Sequence, residues 1–416
     1  MDYLRRAIDQ ELDKWLPFAP AFAIDGPKGV GKTVTAARRA DVEIYLDDPL
    51  QLEILESDPR LQSFAEGTVL LDEWQRLPYV WDAVRRHVDR GAPAGRFLLT
   101  GSATPHDSRG THSGAGRILS VRMRPMALFE RGVVETTVSF GAIIRGETPK
   151  IGGQTPFVLA DYLHEIGASG FPGIRRMPDA LRSAQLDTYI QRVIDRDLPE
   201  LGFFSRRPET LRRWMAAYGA ASSTTASYTK IMSATTDGDG EQPAKSTALA
   251  YRDHLAQIWL LDEVPGWQPL GNELGRLGQA PKHQLADPAL ALRLLNLDDR
   301  ELLTSRGAPL IGPLFESLAT LSIRVAAQSE SARVGHLRTR NGDREVDLIV
   351  EGQEGQIVAV EVKLAATVGD EDVRHLLWLR RQLGDRIADL VIITTGEYAY
   401  RRRDGIVVVP LSLLGQ

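Results

Sequence analysis

The segment Gly26-Pro27-Lys28-Gly29-Val30-Gly31-Lys32-Thr33 constrains the fold more than any other stretch, because it fills the pattern G-x-x-x-x-G-K-[ST]. The apolar run AFAID precedes it and the helical run KTVTAARRA follows. In a strand-to-helix passage of this kind, glycines let the backbone curl until several N–H groups face one anion, and the positive end of the helix adds to the field. All eight residues are therefore expected to cradle the phosphates of a nucleoside triphosphate, with Lys32 on the β- and γ-phosphates and Thr33 on Mg²⁺. A glycine-rich turn with a chance lysine is the bland alternative.

Four more apolar runs, VEIYL, TVLLDE, RFLLTGS and RILSVR, alternate with helical patterns up to about residue 128. That alternation predicts an α/β domain whose largely parallel sheet is covered on both faces. TVLLDE ends in Asp72 and Glu73: Asp72 is expected in the Mg²⁺ shell and Glu73 to polarise the attacking water. An acidic pair at a strand end can also be a helix cap. RFLLTGS ends in Ser102, a candidate for sensing the γ-phosphate or aligning water, or else a turn residue.

With 416 residues the chain exceeds one ordinary domain of roughly 100–200 residues. The pattern divides it at 1–150, 151–305 and 306–416. Hydrophobic residues at 43% and charged residues at 25% fit packed domains. No run approaches ~18 uninterrupted apolar residues, and the opening MDYLRRAIDQELDKWL is unlike a signal peptide, so a cytoplasmic protein without a membrane partner is expected. The lack of cysteine excludes disulfides, a thiolate nucleophile and Cys-based zinc sites. A net charge of -5 excludes a polycation that coats nucleic acid, so any DNA contact must be local.

The middle block reads as helices, among them DYLHEIGASG, ALRSAQLDTYIQRVIDRDL and ETLRRWMAAYG, with a polar loop near 235–243. After Gly312 the pattern is a helix, three strands, a helix and two strands. Alternation along IVAVEVKL places Glu361 and Lys363 on one strand face, and the hairpin with EVDLIV brings Asp347 alongside. With Glu316 on the preceding helix, these residues resemble the D…E-x-K motif of the restriction-endonuclease-like fold. That likeness implies carboxylates holding Mg²⁺ and a lysine that orients or deprotonates water attacking phosphorus. The alternative is an internal salt bridge between Lys363 and the acids in a domain that does not cut.

GPKGVGKT, LLDEWQRLP, FLLTGSAT, the GAGR element and RPMALFE, followed by SGFPGIRR, LADPAL and IGPLFESL, resemble in order the bacterial and archaeal AAA-type ATPases with a carboxy-terminal domain of undefined function. The resemblance spans nearly the whole chain. It implies that Gln75 belongs to the nucleotide-sensing region and that Arg117 serves a neighbouring subunit's γ-phosphate, which requires a homo-oligomer; a structural or DNA-facing arginine is the alternative. It also implies a winged-helix-like middle domain, in which Lys245, Tyr251 and Arg252 meet phosphates or bases or else form a solvated face. Two functional readings follow. The first is an ATP-hydrolysing machine acting with DNA, with a nuclease-like domain. The second is a regulatory ATPase that gates association with a protein partner over a silent nuclease-like scaffold. A nucleotide kinase fits the motif order poorly.

Overall fold

A computed structural model describes residues 3–64, 66–103, 115–235, 243–269, 280–339 and 342–416. Gly114 of the GAGR element, Thr104 of FLLTGSAT and 236–242 of the expected polar loop lie outside the described residues.

The first five apolar runs become β1 (Ala21–Asp25), β2 (Val42–Tyr45), β3 (Val69–Asp72), β4 (Phe97–Gly101) and β5 (Leu119–Arg122). They form one parallel sheet in the order β2-β3-β4-β1-β5. Successive side chains point to opposite faces, and both faces of the central strands β1, β3 and β4 are dry, while the edge strands β2 and β5 are partly exposed. Phe22, Ile24, Leu70 and Leu98 enter one apolar cluster, whereas Ala21, Ala23, Leu71 and Leu99 enter another. This two-sided burial explains why the strands read as continuous apolar runs. Because all strands run the same way, the carboxyl ends of β1, β3 and β4 deliver the phosphate loop, the acidic pair and Ser102 to one edge.

A second sheet occupies the carboxy-terminal part. The short strand β6 (Val138–Ser139) lies outside it; its members are β7 (Arg333–Arg338), β8 (Glu345–Glu351), β9 (Ile357–Val362), β10 (Ile387–Thr394), β11 (Tyr400–Arg401) and β12 (Val407–Pro410). Their order is β11-β12-β10-β9-β8-β7, antiparallel from β7 to β9 and parallel from β9 to β12. The last strand, β13 (Leu414–Gly415), pairs with β6. Ser139 Oγ donates to Gln416 O (3.0 Å) and Thr155 N to Glu397 O (2.9 Å). Residues from about 136 to 157 therefore pack on the carboxy-terminal sheet, although the sequence pattern assigns most of them to the first domain.

Between the sheets lie helices Leu159–Ala168, Asp179–Arg192, Pro208–Ala220, Tyr228–Ala234 and Lys245–Gln257. Two extended segments follow and pair antiparallel at Leu261/Leu285 and Val264/Lys282. Asp287 ties the LADPAL and SGFPG segments together. Fully buried, it accepts from Ala289 N (2.8 Å) to cap helix Pro288–Leu294 and from Ser169 Oγ (3.1 Å) and Gly170 N. A Cβ at position 170 would stand 2.8 Å from backbone atoms of Met126, so only glycine fits.

Phe22, Trp214, Phe315 and Val391, one from each region and one from the helix that joins them, belong to one contiguous apolar cluster. The helix in question, Ala308–Ser329, is long and apolar enough to cross a membrane by length and composition, but 67% of its most apolar window is buried here. Its apolarity is that of a core helix.

Candidate functional site

The phosphate loop leaves β1 at Gly26, whose position tolerates no side chain because a Cβ would meet Met123 O at 2.2 Å. Gly29 (φ 83°) and Gly31 (φ 103°) then turn through left-handed conformations that favour glycine. Lys32 opens the next helix and is buried, with Nζ donating to Gly26 O (2.8 Å) and Pro27 O (3.0 Å). Burial pushes its ammonium down to about 8, although Glu73, Asp72 and Asp25 oppose that shift.

Thr33 Oγ1 donates to Asp72 Oδ1 at 2.8 Å, and the Thr100 hydroxyl donates to the same oxygen. Burial raises the Asp72 pKa above the ordinary carboxylate value. A hydroxyl and a carboxylate in contact at the loop's exit are the donor pair Mg²⁺ takes when phosphates and waters complete its shell, so these residues fit the ion. Glu73 stands beside them in a left-handed conformation (φ 55°), and its Oε2 accepts from Ser102 Oγ (3.0 Å) and from Gln75 Nε2. Gln75 Nε2 also donates to Ser102 Oγ (3.1 Å). Lys32, Thr33, Asp72, Glu73, Gln75 and Ser102 thus converge. Thr100, near the end of β4, is a further site residue that the motif pattern does not single out; Ser102 follows two residues on, just past the strand.

Two cavities flank the loop. One of about 520 Å³ is lined by Lys28, Glu73, Gln75, Ser102, Tyr189 and Asp197. The other, about 370 Å³, is lined mainly by apolar side chains, including Leu4, Val34, Met123, Met126 and Pro172, with Arg176 on its wall. The wall of the first comes partly from the middle helices: Lys28 Nζ pairs with Asp197 (2.7 Å) and Glu200 (3.2 Å), and Tyr189 Oη donates to Lys28 O (3.3 Å). Asp197 ends a π-helical turn, Val193–Asp197, that extends helix Asp179–Arg192. Lys28 is therefore held by middle-domain acids as well as belonging to the loop.

Arg117 does not join this site. It precedes β5, at the opposite end of the sheet from the phosphate loop, and pairs with Asp89 (2.9 Å). In the middle block, Tyr251 cannot meet a base. It is buried against Trp214 and Phe203, which corrects the expectation of nucleic-acid contact at that residue. Arg252 lies over the Tyr228 ring and pairs with Asp253 (2.6 Å), while Lys245 is exposed.

The carboxy-terminal residues do gather, but around a cation that the sequence reading missed. Lys282 Nζ lies 2.8 Å from Glu316 Oε1, 2.8 Å from Asp347 Oδ1 and 3.6 Å from Glu345 Oε1. Burial alone would depress this lysine; Asp347 and Glu316 outweigh it and hold the ammonium well above its ordinary range. Lys363 pairs with Glu361 (2.9 Å). The expected Mg²⁺ cluster of Glu316, Asp347 and Glu361 is thereby corrected: an ammonium stands among these acids, and among the described residues no group of three acidic, His or Cys side chains suits a metal ion. No sequence signal marks Lys282, which lies 34 residues from Glu316 and 65 from Asp347.

Residues 19–131 match the family model of the AAA domain, 160–301 that of a domain of unknown function, DUF8612, and 311–414 that of another, DUF4143. Uncharacterized proteins of Mycobacterium tuberculosis and Mycobacterium bovis are each 26% identical over 98% of this chain and 83% of their own length. Among solved structures, Cdc6p from Pyrobaculum aerophilum aligns at 14% identity over 62% of this chain and 85% of that one, with a TM-score of 0.19, too low to bear on the fold.

Proposed function

We propose that this chain, an AAA-type P-loop protein in its first third, binds and hydrolyses MgATP and uses nucleotide state to set an association with another protein. The observation that carries this reading is the ionic tie of Lys28 to Asp197 and Glu200, since it joins the phosphate loop to the middle helices through a residue that a bound triphosphate would engage. A triphosphate arriving at the loop competes with those carboxylates for Lys28. Its purine would lie in the apolar cavity between Leu4, Val34 and Pro172, its phosphates on residues 26–33, and its magnesium on Thr33 and Asp72. Mg²⁺ would neutralise developing phosphate charge. Glu73, held by Ser102 and Gln75, would accept the proton of the attacking water.

In this reading the three helices from Pro208 to Gln257 and the following hairpin are winged-helix-like and face protein, and the carboxy-terminal sheet is a restriction-endonuclease-like scaffold. Support for DNA contact is thin on the proposed recognition helix, Lys245–Gln257: Tyr251 is buried and Arg252 is paired. Arg117 would serve a neighbouring copy in a nucleotide-bound homo-oligomer.

The test is calorimetry of MgATP with wild type and Lys32→Ala, combined with sedimentation and with DNA retention assays in each nucleotide state. Wild type is expected to bind MgATP, and Lys32→Ala to bind it at least about a hundredfold more weakly. Absence of wild-type binding would end this reading, and ATP-dependent retention of DNA would replace its partner class.

Lys32 also sets a pH dependence. Its ammonium is the form that attracts phosphate, and in the nucleotide-free protein it loses its proton near pH 8. MgATP affinity is expected to fall as pH rises above that value, approaching about tenfold per unit, and to be nearly flat below it. Titrations spanning that range check the sign; affinity that rises with pH would place the loss of charge elsewhere.

A further inference from the structure

Lys282 reaches the carboxy-terminal acids from outside their sheet. It stands on the hairpin of the middle block, where its backbone exchanges two hydrogen bonds with Val264 (2.9 Å each), and its side chain is 2% exposed. A buried ammonium requires its charge and its three donors to be met. Glu316, from helix Ala308–Ser329, and Asp347, from β8, each accept one hydrogen bond, and Glu345, also from β8, adds charge at 3.6 Å. Both oxygens of Asp347 are engaged, Oδ1 by Lys282 and Oδ2 by the Val362 N–H (2.9 Å). Glu361 completes the cluster with Oε2 on Lys363, while its buried Oε1 has no hydrogen-bond partner among the described residues.

We propose that Lys282 is the resident cation of this cluster: the hairpin supplies an ammonium where the D…E-x-K likeness implies a divalent metal. The cluster of Glu316, Asp347 and Glu361 then takes up no Mg²⁺ or Mn²⁺. A metal entering the intact cluster would have to expel Lys282 and leave its charge buried and unpaired. Mg²⁺ also demands near-octahedral oxygen geometry at about 2.0–2.1 Å, closer than the spacing these acids keep around nitrogen. The ammonium is covalently tethered, so it is not lost by dilution. The inference rests on the carboxy-terminal geometry and is independent of ATP binding.

Mn²⁺ uptake by the full chain without nucleotide, followed by electron paramagnetic resonance of the free ion, tests it. Wild type and Asp347→Asn are expected to take up equal amounts. Wild-type uptake that Asp347→Asn abolishes would show metal displacing the lysine and overturn the proposal.

Discussion

Replacing Glu73 with glutamine is expected to lower ATP turnover by about 10²–10⁴-fold while leaving MgATP affinity within a few-fold of wild type. Glutamine keeps the length of the side chain and an oxygen that can accept from Ser102, but it cannot take a proton from water. Lys32, Thr33 and Asp72, which carry binding in this reading, are untouched. The split between turnover and affinity is therefore the diagnostic quantity. Single-turnover hydrolysis beside calorimetric titration measures both, and unchanged turnover would remove Glu73 from the chemistry. Ser102→Ala should give a smaller loss, because Gln75 still holds the Glu73 carboxylate.

The second large effect concerns stability. Asp262→Asn is expected to destabilise the protein by about 3–5 kcal/mol, the scale for breaking a buried ion pair from one side. Asp262 is buried and receives Arg122 (2.8 Å), Arg124 (2.7 Å) and Arg324 (3.0 Å). Asparagine would leave three clustered guanidinium groups without their shared anion. These arginines come from the end of β5, the residues just after it and helix Ala308–Ser329, so the substitution loosens the joint between the sheets as well as one contact. Urea unfolding followed by tryptophan fluorescence should show a lower midpoint. An unchanged midpoint would mean that the arginines find other partners.

The pH sign for Asp262 follows from its depressed pKa. Burial opposes ionisation, but the three arginines win and hold the carboxyl far below the ordinary range. A carboxylate depressed in the folded state contributes stability above its unfolded pKa of about 3.9 and loses it only as pH falls through the lower folded value. The destabilisation caused by Asp262→Asn should therefore persist at mildly acidic pH.

Several elements were legible because they depend on neighbours in the chain. The phosphate loop needs glycine at fixed intervals after a strand, and the five parallel strands need apolar residues on both faces. Lys32, Thr33, Asp72, Glu73 and Ser102 meet because parallel strands bring their carboxyl ends to one edge. The burial of Tyr251 was not legible: an aromatic on a helix reads alike whether it faces solvent or, as here, Trp214 and Phe203.

The sequence by itself determined the phosphate cradle, the five parallel strands of the first sheet, the longer strands of the second and three of its acids, Glu316, Asp347 and Glu361, since each is written in local spacing and periodicity. The short β11 and Glu345 were not. Only the tertiary structure decided that residues 136–157 belong with the last sheet, that Lys28 is shared with Asp197 and Glu200, and that Lys282 stands among the acids. The physical reason is that long-range charge pairing depends on which buried groups end up within a few ångströms of each other. Local periodicity sets which face a residue takes, and the packing of distant segments sets what that face meets.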